Sequence, residues 1–325
     1  MRPGVAVWLG TVLWLVAGSP GGTLKPGLPA AAAQGPAPPL VRVLQPDVRA
    51  PLTAHPVLLR GVVQPPDPDL RVTVDGRPAF MIQGGEWATL RDLPAGTHTL
   101  LVEGRARGQV VSRADLRVTI TGPRPIQWPL QFRLGPLAAA REIEREVLLG
   151  LAPFEWRFRL DVTSGVANGQ LDPEGAVGRP HELRAGEVYT HPFRSPGFYG
   201  PTLRYADPTG RAVVQQGLIV VFDRPWLESV LRARWAEFLA TVDQDPERGT
   251  ALVDAIRRRY FSVMLQAAPP GDWPKWVALL REKGPLVLES VVGRTAVSKL
   301  ANDPKGPEIE FVLDPADGRW YYYVR

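Results

Sequence analysis

Short strand-like runs that end at turn dipeptides are the feature of this 325-residue sequence that most limits its fold. Leu70–Val74 alternates apolar and polar residues and meets Asp75-Gly76, a pair that favours the positive φ angles of a tight hairpin. Pro94-Ala95-Gly96 is a second turn, and Leu116–Ile120 is a final alternating run. Several such runs at this spacing predict a β-sandwich over residues 40–122.

The order of these runs and turns resembles bacterial immunoglobulin-like domains of exported proteins. The resemblance rests on Val-Thr-Val-Asp-Gly-Arg-Pro-Ala at 72–79, Leu-Pro-Ala-Gly-Thr-His-Thr-Leu at 93–100 and the final Val-Thr-Ile at 118–120. In that family the Asp75-Gly76 position is a hairpin tip. The resemblance therefore implies a fold, and it implies no functional residue.

Residues 123–223 predict a second sandwich. Phe154–Leu160 alternates aromatic and polar residues, as a half-buried strand does. His191-Pro-Phe, Pro196-Gly-Phe-Tyr and Asp207-Pro-Thr-Gly then follow in the order of the second half of a PKD domain, which this segment resembles. The acidic Gly-Asp-Gly of that family is missing. The pattern leaves 138–149 open as either a short helix or an inserted strand.

Residues 224–325 change from a strand pattern to a helix pattern and back. Asp223 with Pro225 starts a first helix, and Asp245-Pro246 starts a second one that continues through Leu252, Ile256, Tyr260 and Val263. A third helix starts at Asp272. Four strands are then predicted at 286–292, 295–300, 308–313 and 319–324. This order resembles cystatin-like and ketosteroid-isomerase-like α+β cones. The predicted fold is multidomain, with two all-β immunoglobulin-like sandwiches followed by a small α+β domain.

The N-terminus has the pattern of a secretory signal peptide. Arg2 precedes the uncharged stretch Val5–Ala17, which is too short for a bilayer-spanning helix, and Ala30–Ala33 offers a small-residue cleavage site. We therefore expect a signal peptide over 1–33, a linker over 34–39, and a periplasmic or extracellular protein. An uncleaved membrane anchor remains the alternative. Because the chain has no cysteine, it cannot form disulfides or attach a lipid through a cysteine.

No motif predicts a catalytic, cofactor or metal site. Ser195 lies in a turn instead of a Gly-x-Ser-x-Gly elbow, and no glycine-rich phosphate loop occurs. The two carboxylates of Asp67-Pro-Asp69 are the nearest approach to a calcium site, and the prolines around them favour a plain loop. The four histidines, at 55, 98, 181 and 191, have no partner at ligand spacing, and His55 is expected in a loop because it precedes Pro56. The net charge of +5 is spread along the chain, which argues against nucleic acid.

The final strand and one helix carry the residues most open to a second interpretation. Alternation places Trp320 and Tyr322 on one face and Tyr321 and Tyr323 on the other. We expect the first face to be core, packed on the helices that carry Trp235, Phe238 and Tyr260, and the second face is available for a ligand cleft or a partner. Arg257-Arg258-Arg259 is expected to be a solvated helix face.

The sequence therefore predicts a non-enzymatic, exported modular protein of the cell envelope. Its sandwiches would be spacers or binding modules that present a C-terminal recognition domain to an envelope protein or polysaccharide. The alternative is an enzyme or small-ligand binder with a pocket in the C-terminal domain. Catalytic members of such cones need a carboxylate and a tyrosine in the pocket, and the first two helices offer Glu228, Glu237 and Asp254, all expected to be exposed.

Overall fold

A computed structural model describes residues 39–47, 50–66, 70–106, 108–125, 130–131, 147–175, 180–267, 269, 271–314 and 318–323. The described residues are mostly β-structure, and they form six sheets and four α-helices. The predicted signal peptide and the linker up to residue 38 lie outside the described residues, as do Asp67, Asp69 and Asp317.

The first segment, residues 40–122, forms two four-stranded sheets that face each other across a shared core. Its strands are β1 Leu40–Gln45, β2 Ala54–His55, β3 Val57–Gln64, β4 Leu70–Val74, β5 Arg77–Pro78, β6 Phe80–Met81, β7 Glu86–Arg91, β8 Gly96–Ala106 and β9 Gln109–Ile120. The sheet orders are β1-β3-β7-β6 and β5-β4-β8-β9. Asp75 and Gly76 join β4 to β5 with φ angles of 47° and 73°, as the predicted hairpin tip requires.

The second segment, residues 123–223, contributes strands to three sheets. Its strands are β10 Leu130–Gln131, β11 Val147–Leu151, β12 Phe154–Leu160, β13 Asn168–Asp172, β14 His181–Arg184, β15 Val188–Phe193, β16 Gly197–Tyr199, β17 Thr202–Ala206, β18 Ala212–Gln216 and β19 Leu218–Phe222. In β12, Trp156, Phe158 and Leu160 are buried and alternate with exposed polar residues, as predicted. Val147–Leu151 is a strand beside β19, and 138–146 lie outside the described residues.

One strand of the first segment pairs with the second. β2 lies parallel to β18, with Ala54 opposite Val214 and His55 opposite Gln215, at the edge of the sheet β14-β13-β17-β18-β2. His55 is fully buried there, and its Nε2 lies 2.9 Å from the carbonyl oxygen of Gly122. The sequence placed His55 in a loop, and that was wrong because its strand partner is far away in the chain.

The Asp207 turn of the second segment is held by hydrogen bonds to one carboxylate. The Asp207 carboxylate accepts hydrogen bonds from Thr209 (N and Oγ1) and from Arg211 (N, Nε and Nη2), at 2.6–3.0 Å. Hydrogen bonds from Thr209 and then Arg211 hold the pKa of Asp207 well below its usual range, against the opposing effect of burial. The ionised carboxylate thus closes the turn between β17 and β18.

Asp207→Asn is expected to lower the melting temperature near neutral pH and to change its acid dependence. A carboxyl whose folded pKa is depressed stabilises the fold above its unfolded pKa of about 4, and this contribution is lost as pH falls toward the folded pKa. The difference between wild type and variant should therefore shrink below about pH 4. Thermal unfolding over a pH series measures it, with the exposed Asp115→Asn as control. A pH-independent difference would contradict the assignment.

The C-terminal segment packs helices against one antiparallel sheet. The helices are α1 Arg224–Gln244, α2 Pro246–Gly249, α3 Arg258–Ala267 and α4 Asp272–Glu282, and the strands are β20 Leu286–Val292, β21 Thr295–Leu300, β22 Ile309–Asp314 and β23 Arg319–Tyr323. The strands pair in chain order, so they form the predicted meander. Ile309, Phe311 and Leu313 are buried in the core that the helices share, as period two predicts.

The second predicted helix is wrong in extent and in its buried face. After α2 the chain makes the 3₁₀ turn Thr250–Leu252 and then becomes extended at Val253. Val253 bridges to Tyr322 of β23, and the Asp254 amide donates to the Tyr322 carbonyl oxygen at 2.9 Å. The described part of residues 224–325 therefore has four α-helices instead of the predicted three. Ile256, Tyr260 and Val263 are exposed, and Phe261 is the residue of α3 that is fully buried.

Residues from all three predicted domains meet in one hydrophobic core. This core combines Leu58 and Ile82 of the first segment with Phe198 and Phe222 of the second and with the helices and sheet of the third. The described residues from 39 onward belong to one compact unit. The boundaries at 122/123 and 223/224 stay predictions, and a chain ending at residue 223 would leave the Phe222 side of this core without its helix.

Candidate functional site

A cleft of about 240 Å³, named here the junction cleft, lies where the first sandwich, β19, α1 and the β22–β23 hairpin meet. Its walls are mostly apolar, and they include Phe80 and Ile82 from the first segment. The aromatic rings of Phe222, Trp226 and Trp320 form the opposite wall. A concave, largely apolar site with a few polar groups is the usual form of a binding site for a small ligand.

Local sequence fixes the α1 side of the junction cleft. Asp223 caps α1, because its carboxylate accepts a hydrogen bond from the Trp226 amide at 3.0 Å. The Trp226 ring then stacks on Phe222 with centroids 5.9 Å apart, and Phe222 meets Trp320 edge-on at 6.1 Å. Trp226, Val230 and Arg234 all line the cleft because residues four apart share one face of a helix.

Among the described residues that line the junction cleft, three are arginines and none carries a carboxylate, while the neighbouring Asp67, Asp69 and Asp317 lie outside the described residues. Arg71 comes from β4, Arg234 from α1 and Arg319 from the start of β23. Arg234 is fixed by Glu237, whose carboxylate lies 2.6 Å from its guanidinium and outside the lining. Arginine side chains beside aromatic walls can hold an anionic group that is attached to an apolar body.

A second, smaller cleft adjoins the junction cleft and shares three of its lining residues. It has a volume of about 170 Å³ and shares Arg234, Arg319 and Trp320 with the junction cleft. Phe238, Phe311 and Tyr322 form its apolar part. Burial raises the pKa of Tyr322 to about 12, so its phenol is neutral at physiological pH.

The structure places Glu228, Glu237 and Asp254 outside both clefts. Glu228 and Asp254 were expected to be exposed, but Glu228 is half-buried and Asp254 is buried. Glu228 pairs with Arg232 and accepts from the Leu288 amide at 3.2 Å, so it joins α1 to β20. Asp254 is buried and accepts from the Ile256 amide at 3.0 Å. Glu237 pairs with Arg234. Hydrogen bonds from backbone amides thus hold the carboxylates of Glu228 and Asp254, and helical spacing in the sequence does not predict these bonds.

The remaining histidines are each held by a nearby oxygen. His98 contacts the Pro94 carbonyl oxygen at 2.8 Å, His181 contacts Glu187 at 3.3 Å and His191 contacts Glu174 at 3.0 Å. His191 also packs edge-on against Phe193, with the ring centroids 4.9 Å apart. Within the described ranges, no three His, Asp or Glu side chains are placed to hold a metal ion. No helix there is long and apolar enough to cross a membrane.

The final strand has the predicted orientation and an additional role. Trp320 is buried, and Tyr322 meets the rings of Trp235 at 5.3 Å and Phe238 at 4.7 Å, so this face is core as expected. Trp320 also forms part of both cleft walls, which the sequence did not indicate. The only sequence sign of the junction cleft is the spacing of Trp226, Val230 and Arg234.

Comparisons with known proteins leave the family open. No family model matches the chain, and no curated protein matches it. Among solved structures, SGBP-B of the Bacteroides ovatus mixed-linkage glucan utilization locus, in complex with a mixed-linkage heptasaccharide, is 12% identical, with 57% of this chain and 71% of that chain covered and a TM-score of 0.19. The fibronectin(III)-like modules of Clostridium thermocellum CbhA are 9% identical, with 56% and 94% covered and a TM-score of 0.19.

Domains 5–6 of the S-layer protein SbsC are 11% identical, with 57% of this chain and 99% of that chain covered and a TM-score of 0.20. At these identities and TM-scores the similarities assign neither a family nor a function to this chain.

Proposed function

We propose that this chain is an exported, non-enzymatic binding protein of the cell envelope whose recognition site is the junction cleft. The supporting observation is the described part of the lining, in which Arg71, Arg234 and Arg319 lie beside the rings of Phe222, Trp226 and Trp320. Such a site binds an anionic group on an apolar body. The signal peptide, on which the exported location depends, stays a prediction.

The lining also bears on the alternative of an enzyme. Among the described residues of both clefts there is no serine, histidine, aspartate or glutamate to act as nucleophile or general base. Tyr322 is neutral and packed in the core. These features support binding over acid–base chemistry at the junction cleft.

Either predicted kind of partner could carry an anionic group next to an apolar one. An envelope protein would present an acidic residue next to an aromatic one, and a polysaccharide would present a uronate or an acidic acyl substituent. Both would direct the anion to the arginines and the apolar part to the ring wall. Gln83 is the only side-chain amide in the described lining, so few acceptors are available for sugar hydroxyls, and the protein partner is favoured.

Phenylacetate is expected to bind the full chain weakly and to quench tryptophan fluorescence, because Trp226 and Trp320 line the cleft. Arg234→Gln should weaken binding by about tenfold or more, since a charge-assisted hydrogen bond is worth about 1.5–3 kcal/mol. The matched control is Arg281→Gln, which removes another ion-paired helical arginine, 2.9 Å from Asp243 and outside both clefts.

An acidic–aromatic peptide and a uronate oligosaccharide, compared in the same assay, distinguish the two kinds of partner. Equal binding by wild type, Arg234→Gln and Arg281→Gln, or no binding of any of the three probes, would contradict the assignment of this cleft.

A further inference from the structure

The exposed side of α3 carries an apolar stripe. Ile256, Tyr260 and Val263 follow one another at i, i+4 and i+7, so they share one face, with Ile256 in the turn that leads into the helix. Their side chains are 83%, 48% and 56% exposed. Single exposed apolar residues are ordinary on a protein surface, but three in register on one helix face form a patch that calls for a partner.

The opposite side of α3 is held firmly, so the stripe has a fixed direction. Phe261 is buried and contacts Phe238 at 5.7 Å and Trp273 at 6.0 Å, centroid to centroid. Asp254 begins the helical turn by accepting from the Ile256 amide, and its carbonyl oxygen accepts from the Arg258 amide at 3.0 Å. The helix cannot turn its stripe inward without removing Phe261 from the core.

The charged residues of this helix are all cationic. Arg257, Arg258 and Arg259 lie within it in sequence, and residues 255–267 contain no aspartate or glutamate. The guanidinium of Arg257 lies over the Tyr323 ring at 4.9 Å and that of Arg258 over the Tyr321 ring at 5.8 Å, which orients both groups while keeping their charge. Arg259 is exposed beside Tyr260.

We propose that this α3 face docks on the surface of an anionic lipid bilayer. A helix whose exposed apolar stripe contains a tyrosine and lies beside an exposed arginine, Arg259, has the composition of helices that lie in a membrane interface. The apolar side chains enter the headgroup boundary, and the arginines remain at the level of the anionic groups. A second copy of this chain fits less well, because a symmetric contact through this face would bring the two arginine clusters together.

The experiment is cosedimentation of the full chain with phosphatidylcholine vesicles, with and without phosphatidylglycerol, at low and high salt. We expect binding only to the anionic vesicles, and we expect high salt to weaken it. Val263→Asp should lower the partition coefficient at least about tenfold, because it removes an apolar contact and adds a repelled charge. The matched control is Val162→Asp, since Val162 is 57% exposed and lies in the second segment.

Arg259→Gln tests the charge separately and leaves the apolar stripe intact. It should weaken binding about fivefold, whereas Arg117→Gln, at an exposed position on β9, should leave it unchanged. If Val263→Asp lowers the melting temperature, the Arg259 and Arg117 pair decides the question.

Equal binding to both kinds of vesicle, or binding to neither, would overturn the proposal. So would a wild-type dimer in sedimentation equilibrium that Val263→Asp dissociates while no vesicle is bound.

Discussion

Trp320→Ala is expected to lower the free energy of unfolding by about 3–5 kcal/mol. Trp320 is 6% exposed and lies opposite Leu313 in the β22–β23 pair. Its ring meets Phe222 at 6.1 Å, so the substitution opens a cavity between the C-terminal sheet and the end of β19. Because a domain is stable by only about 5–15 kcal/mol, this loss should be visible as a large fall in the urea midpoint.

Tyr321→Ala is the control for that measurement. Tyr321 points to the other face of β23, is half-buried and has the Arg258 guanidinium over its ring. We expect its loss to cost about 1 kcal/mol or less, in the range of an exposed cation–π contact. If Trp320→Ala keeps the wild-type midpoint and abolishes only ligand binding, then Trp320 belongs to the recognition surface alone and the core assignment is wrong.

Gly61→Ala is expected to destabilise the protein by about 3 kcal/mol through overpacking. Gly61 lies on β3 between β1 and β7. A methyl group there would lie 2.1 Å from the Arg42 carbonyl oxygen and 2.5 Å from the indole carbons of Trp87. Trp87 is fully buried, so neither the ring nor the neighbouring backbone can move away without disturbing the first sandwich.

Gly104→Ala on β8 is the matched substitution. Its methyl group would meet the Cγ2 atom of the Val41 side chain at 2.6 Å and no backbone atom at a comparable distance. A side chain can adjust more readily than a strand, so we expect a loss of about 1 kcal/mol. Equal losses for both variants in urea unfolding would show that the contact with the backbone is not the cause.

The strands and turns could be predicted because their causes are local. Period two identified the buried faces of Phe154–Leu160 and of the final meander, and both are confirmed. The Asp75-Gly76 turn followed from the φ angles that these residues accept, and the start of α1 followed from the Asp223 cap with Pro225 behind it. Each of these features depends on residues within one turn or one strand.

The helical pattern of α3 shows the limit of such reasoning. Ile256, Tyr260 and Val263 share a face, but so do the apolar residues around Phe261, and helical spacing cannot say which face meets the core. The choice depends on Phe238 and Trp273, which lie on other helices, and on the bridge from Val253 to Tyr322 in the final strand.

Local sequence thus determined the elements of this protein, namely its strands, its hairpins and the start of its first long helix. Tertiary structure alone decided which elements meet: β2 beside β18, one core that contains Leu58, Phe222 and Trp320, and the cleft where they converge. The physical reason is the separation along the chain over which each effect acts. Backbone angles and caps are set by neighbours in the chain, whereas burial is set by apolar surfaces that come together from distant segments only when the chain folds.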